Sequence, residues 1–188
     1  MALVALCLVS SGAFGGEQTE EAVQFISDTI MPVAGGTALI YLSSGNSERR
    51  ETGWRVTDAL LVTGLVAGGL KRVIDSPRPE PYQEEKDGFP SGHTALAFAL
   101  AAAVSERDES LRPWAYGYAL AVGLSRRELR RHDWWQVAAG AALGIVIGRK
   151  TGQGDWHLVS GGIRRPRPEE VTGGSGGVGV NQLWRAEF

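Results

Sequence analysis

Three short segments of this sequence hold nearly every side chain suited to acid–base or anion chemistry. The first, KRVIDSPRP, places Lys71 and then Arg78, the latter immediately before Pro79. The second, GFPSGHTALAFALAAA, sets Pro90, Ser91, Gly92 and His93 at the head of an apolar run. The third, SRRELRRHDWWQ, carries Arg126, then His132, then Gln136 one helical turn further on. A helix start exposes unpaired N–H groups and the positive end of the helix dipole, so the head of the second segment favours an anion. Gly92 allows close backbone approach there, Ser91 adds a hydroxyl donor, and His93 brings a titratable proton. Plain N-capping by Ser91 beside a bystander histidine fits the same letters. Lys71 and Arg78 alone read equally well as cations meeting the negative end of a helix. In the third segment the competing reading is a charged face ahead of a buried helix, with Arg130 and Arg131 solvated.

The remaining composition narrows the choice. Among 188 residues there are three histidines, His93, His132 and His157, with none of the spacing of a zinc site. A single cysteine, Cys7, allows no intrachain disulfide and no cysteine-based metal site. The formal net charge of −2 leaves no general basic surface for nucleic acid, so any anion site is local. Arg165-Pro166-Arg167-Pro168 repeats the Arg-Pro pair without partner motifs and reads as tail.

The elements that must position these groups are helical. Residues 17–42 form an acidic-started helix, expected to kink at Pro32 and Gly35-Gly36. A polar loop follows over 43–53, a helix over 56–74, and a proline-punctuated connection over 75–90. Further helices are expected at 93–105, at 114–124 after Pro113, and at 134–149. Most of the apolar stretches fall short of the about 20 residues that a bilayer span takes. The expected fold is therefore all-α, a compact bundle of about five core helices, with a multi-span membrane protein as the alternative. Residues 1–16 read as a signal peptide or an N-terminal apolar segment, and 17–150 as the helical domain. Residues 151–188 read as a Gly/Pro-rich tail, whose alternating end suggests a short β-hairpin. Trp134 and Trp135 are expected in the core or at a membrane interface.

Together the three segments change the reading. Lys-x6-Arg-Pro, then Pro-Ser-Gly-His, then Ser-Arg-x5-His, in this order, resembles the type 2 phosphatidic acid phosphatase superfamily. That superfamily includes bacterial class A acid phosphatases and vanadium-dependent haloperoxidases, and the resemblance covers about residues 56–148. It implies that Lys71, Arg78 and Arg126 clamp phosphoryl oxygens, with Ser91 and the Gly92 N–H completing the cradle. It implies His132 as the nucleophile, forming a phosphohistidine, and His93 as the general acid and base. No metal or other cofactor is implied, because three cations face the phosphoryl charge. Where the family pattern has an aspartate behind the nucleophile, this chain has Gln136. Its carbonyl could hold the same histidine tautomer, but it cannot supply the negative charge.

The implied function is hydrolysis of a phosphomonoester or diphosphate, with a small phosphorylated molecule or a lipid phosphate as substrate. The alternatives are a catalytically weakened phosphate-binding homologue and a vanadate-dependent haloperoxidase. The implied location is the periplasmic side of a bacterial envelope, secreted or membrane-associated, with an integral inner-membrane protein as the alternative.

Overall fold

The computed structural model describes residues 16–154, all helix and loop apart from one isolated bridge between Ser76 and Asp87. In chain order the helices are α1 (Gly16–Asp28), α2 (Ile30–Leu42), α3 (Ser47–Val73), α4 (Gly92–Ser105), α5 (Arg112–Glu128) and α6 (Trp134–Gln153). A 3-10 turn, Glu109–Leu111, precedes α5. Helices α1 and α2 are one apolar helix broken at Thr29, so the bundle has the five helical units expected. The break has one cause. Pro32 has no N–H to give the Asp28 carbonyl, and its ring crowds that turn. Gly35 and Gly36, also expected to kink the helix, lie inside α2 without interrupting it. The signal-like segment falls outside the described residues except at its last residue, and the tail hairpin lies wholly outside them.

Helix α4 is the centre of the bundle. Ten of its fourteen residues are buried, and α3, α5 and α6 all pack around it. Alanine makes this packing close, and α6 answers with a glycine stripe at Gly140, Gly144, Gly148 and Gly152. A Cβ at Gly140 would sit 2.5 Å from the Ser91 carbonyl oxygen, and Gly144 and Gly148 meet the α4 backbone as tightly. The stripe therefore lets two backbones touch, and this fixes the start of α4 against the start of α6.

Helix α5 runs past its expected end to Glu128, and two other element boundaries differ from the sequence expectation for a visible reason. The loop expected over 43–53 ends at Asn46, whose Oδ1 accepts from the Glu48 and Arg49 N–H groups at 2.8 and 3.2 Å. That cap starts α3 nine residues earlier than the apolar pattern suggests, because a capped polar turn precedes the buried face. Helix α6 runs on to Gln153 because Arg55, buried on α3, donates to the Thr151 and Gly152 carbonyls at 3.1 and 3.2 Å. Those carbonyls would otherwise be orphaned at a helix end.

Candidate active site

The third motif spans a helix ending and a helix start. Helix α5 closes with Arg130 N–H bonded to Arg127 O and Arg131 N–H bonded to Arg126 O, each at 3.0 Å. This is the double hydrogen bond of a Schellman ending, with Arg130 in the left-handed position at φ 52°. The reversal turns the chain back so that His132 N–H also reaches Arg126 O, at 3.2 Å. His132 is thereby buried beside the last turn of α5. Asp133 and Gln136 then open α6 as a capping box, with Gln136 Oε1 accepting the Asp133 N–H at 3.1 Å.

Gln136 is wholly buried, and its amide can face only one way. Its Nε2 donates to the Pro77 carbonyl at 3.0 Å and to Ser76 Oγ at 3.1 Å. Its Oε1 takes the Asp133 N–H and lies 3.2 Å from His132 Nδ1. A flipped amide would set nitrogen against N–H and oxygen against carbonyl. The oxygen therefore faces the histidine. A second acceptor, the Gly88 carbonyl, lies 2.9 Å from the same Nδ1. A nitrogen facing two carbonyl oxygens must carry the proton, so His132 donates through Nδ1 and keeps its Nε2 lone pair free. Gly88 is required for that approach: a Cβ there would lie 2.6 Å from Gln136 Nε2 and 2.7 Å from Pro77 O.

The head of α4 completes the cradle. Its first internal hydrogen bond runs from Ala95 N–H to Ser91 O, so the Gly92, His93 and Thr94 N–H groups have no acceptor inside the helix. Ser91 does not cap them. It is fully buried, its hydroxyl pairs with Thr94 Oγ1 at 2.9 Å, and its N–H donates to the Gln136 carbonyl at 3.1 Å. Gly92 faces the end of the Lys71 side chain, since a Cβ on it would lie 3.8 Å from Lys71 Cε. The eight residues singled out from sequence thus converge: Lys71 ends α3, Arg78 follows it, Arg126 ends α5, His132 lies in the reversal between α5 and α6, Ser91, Gly92 and His93 open α4, and Gln136 opens α6.

The three cations shape the titration of the site. Burial first, and then Arg126, Lys71 and Arg78, push the His132 ring down to about 3, while the Gln136 hydrogen bond pulls the other way. Burial and the same cations push His93 down to about 4, and Asp28 opposes them. Burial also lowers Lys71, against the attraction of Asp87. Both histidines are therefore neutral in the free protein at physiological pH.

The sequence reading missed several neighbours. Ser27 on α1, fully buried, accepts from Arg126 Nη1 at 2.6 Å. Asp87 forms a two-point pair with Arg78. Ser76, Pro77 and Gly88 hold the histidine–glutamine pair. Two more arginines of that motif find partners: Arg127 lies over the Trp134 ring at 5.8 Å, and Arg131, solvated in the charged-face reading, lies over Tyr82 at 4.0 Å. Arg130 alone of that group is exposed. Trp134 and Trp135 are more than half exposed rather than core residues, and Trp135 stacks on Phe89.

The sequence profile of the PAP2 superfamily matches residues 52–152, more than half of the chain. The chain belongs to the PAP2 superfamily. Every residue of the site from Lys71 to Gln136 lies inside the PAP2 match, whereas Ser27 and Asp28 lie before it. A protein of Porphyromonas gingivalis described as a lipid A 1-phosphatase is 39% identical over 100 residues. That alignment takes in 50% of this chain and 22% of the relative, so the chain spans about a fifth of that protein's length. The crystal structure of Aquifex aeolicus LpxE superposes with a TM-score of 0.60 at 22% identity, covering 79% of this chain and 93% of that one. At that identity the likeness is one of fold, and it takes in more of the chain than the family match does.

Proposed function

We propose that this chain is a phosphatase acting on a lipid phosphate at a bacterial envelope membrane, through a phosphohistidine on His132. The observation that carries the proposal is the locked tautomer of His132. Gly88 O and Gln136 Oε1 take its Nδ1 proton, which leaves Nε2 as an unprotonated nucleophile beside three cations. In the first step the Nε2 lone pair attacks phosphorus, the ester P–O bond breaks, and His93 gives its proton to the departing oxygen. In the second, His93 takes a proton from water, the resulting hydroxide attacks phosphorus, and the P–N bond breaks to release phosphate. Arg126, Lys71 and Arg78, with the free N–H groups of α4, hold the phosphoryl oxygens through both steps. His93 is neutral in the empty site, held down by burial first and then by the cations; a bound phosphate dianion offsets the cations and itself attracts the proton, so the ring takes it up as substrate enters. Gln136 supplies orientation without charge. That favours continued turnover over a phosphate-binding relic, because its amide faces the histidine in the productive sense.

A lipid substrate is supported by where the apolar side chains are. Val73, two residues from Lys71, is 83% exposed, and Trp134 and Trp135 flank His132 on the surface. The stretch Glu20–Leu42 is long and apolar enough to cross a membrane by length and composition, and most of its apolar window is not buried in the bundle. Phe25, Leu39 and Ile40 are exposed along it. Val73 and the two tryptophans near the cradle, together with an apolar helix exposed along its length, fit a membrane-held substrate. The description of the Porphyromonas relative adds lipid A as the first substrate to try. The test is vanadate-sensitive phosphate release from lipid A, phosphatidate and a soluble aryl phosphate in detergent micelles. Wild-type protein should release phosphate and His132→Ala should not. Release from no substrate, or full activity in His132→Ala, would end the proposal.

A further inference from the structure

Arg78 and Lys71 do not wait empty for a phosphate. Asp87 receives Arg78 Nε at 2.9 Å and Arg78 Nη2 at 3.0 Å, the planar two-point geometry with which arginine holds phosphate. Lys71 Nζ lies 3.7 Å from the same carboxylate and also donates to the Asp87 backbone carbonyl. Glu85 takes the remaining Arg78 nitrogen, Nη1, at 3.1 Å. Arg126 differs: its Nη1 meets only the Ser27 hydroxyl, its Nε is buried with no partner, and no ion pair holds it among the described residues.

Exposure separates the partners. The Arg78 and Lys71 side chains are 13% and 21% exposed, but that of Asp87 is 49% exposed. The cations are fixed, and the carboxylate has solvent to turn into. Its backbone need not follow. Ser76 N–H to Lys86 O, Arg78 N–H to Glu85 O and Gly88 N–H to Ser76 O pin the strap on both sides of Asp87. Rotation about the Asp87 side chain alone would free the clamp, and the Gly88 carbonyl would stay on His132.

We propose that Asp87 is an internal anion that occupies Arg78 and Lys71 between turnovers and competes with the substrate phosphate for them. The proposal rests on the phosphatase reading above and adds an affinity-setting residue to it. Substrate phosphate enters against Arg126 and the α4 N–H groups, then displaces the Asp87 carboxylate. After hydrolysis the carboxylate returns and helps expel inorganic phosphate. A carboxylate that merely braced Arg78 in place would have the opposite effect on affinity.

The test is binding of orthophosphate and orthovanadate to the intact chain, by calorimetry, for wild type, Asp87→Asn and Asp75→Asn. Asp75 lies near the clamp but pairs with the exposed Lys86 rather than with Arg78 or Lys71, so its variant makes the same charge change without freeing the clamp. Asp87→Asn should bind both anions about tenfold tighter, given a two-point ion pair that is half exposed. Asp75→Asn should stay within about twofold of wild type, since exposed charges are screened. In unmutated protein, phosphate should also shift the Asp87 carboxyl carbon resonance as the carboxylate leaves the clamp; this readout holds even if the variant misfolds. Equal or weaker binding by Asp87→Asn beside normal binding by wild type overturns the internal anion and leaves the phosphatase reading standing. An Asp87 resonance unmoved at phosphate saturation does the same. No anion binding by either chain overturns both.

Discussion

Replacing Gln136 with aspartate restores the family's usual residue, and the structure predicts that it will harm the protein more than help it. The native amide is fully buried and makes four contacts: His132 Nδ1 at 3.2 Å, Asp133 N–H at 3.1 Å, Ser76 Oγ at 3.1 Å and Pro77 O at 3.0 Å. Aspartate is one methylene shorter and, when ionised, only accepts. Ser76 can turn its hydroxyl to donate, but the Pro77 carbonyl loses its donor, and a charge enters a buried site. Losing a buried partner costs about 1–3 kcal/mol, and the misplaced carboxylate adds to that. A total of about 2–4 kcal/mol lowers the melting temperature by roughly 6–12 °C for a domain of this size. On activity, the reference is a serine-protease triad, where Asp→Asn costs about 10⁴-fold, chiefly through the wrong tautomer. Here the tautomer is held twice, and Gly88 O remains at 2.9 Å after the change. The kcat of Gln136→Asp is therefore expected to stay within about tenfold of wild type. Its phosphoenzyme should accumulate to a higher level, because a charged partner stabilises the phosphorylated cation. Differential scanning calorimetry, steady-state phosphate release and trapping of phosphoprotein measure the three quantities. A gain of a hundredfold in kcat with an unchanged melting temperature would refute the reasoning. It would mean that the amide network is not what holds the histidine.

Two further outcomes follow from the same geometry. Arg130→Gly should stabilise the fold by about 1 kcal/mol, because a non-glycine residue sits at φ 52° in the Schellman position; an unchanged or lower melting temperature would count against strain there. The pH dependence has a definite sign. Native His132 and His93 titrate at about 3 and about 4, while both unfold to rings near 6.5, so the unfolded chain binds more protons throughout that interval. Stability is complete above about pH 6.5 and falls as pH drops, by on the order of 2 kcal/mol per ring at pH 4.5. Urea midpoints between pH 7.5 and 4.5 measure this, with His93→Phe giving a shallower slope; a flat wild-type profile would contradict the buried neutral rings.

The parts of this site legible in the sequence are those written as helix ends. Lys71, Arg126, Gly92 and His132 each sit in the final or opening turn of a helix, or in the reversal between two. Short motifs carry that information because capping and dipole chemistry are local. What could not be read comes from irregular or distant chain. The Gly88 carbonyl reaches His132 across 44 positions, and Ser27 reaches Arg126 across 99. A backbone carbonyl has no letter, and a lone serine in an apolar helix has no signature. The arginines of the third motif show the same limit. Arg127 and Arg131 look like solvated charges until the fold brings Trp134 and Tyr82 beneath them. The early start of α3 was written in the sequence at Asn46, but a search for apolar periodicity passes over a polar capped turn.

The electrostatics of the site make its acid–base state depend on occupancy. Three cations within one cradle would be costly to hold without anions, and the free protein meets that cost in two ways. It keeps both histidines uncharged, and it sets Asp87 on two of the three cations. Each device is undone by the same event, the arrival of a phosphate dianion. Burial still disfavours the His93 proton, but the cations' share of the depression is then offset, and the phosphate charge joins Asp28 at the end of α1 in favouring it. In the proposed phosphatase cycle His132 feels the same relief, yet its Nε2 attacks phosphorus and forms a bond there instead of taking a proton. The two histidines share one environment but part in role, because one has its Nδ1 proton fixed by two carbonyls and the other does not. In the proposed cycle, His93 is therefore armed as general acid only when there is an ester to cleave.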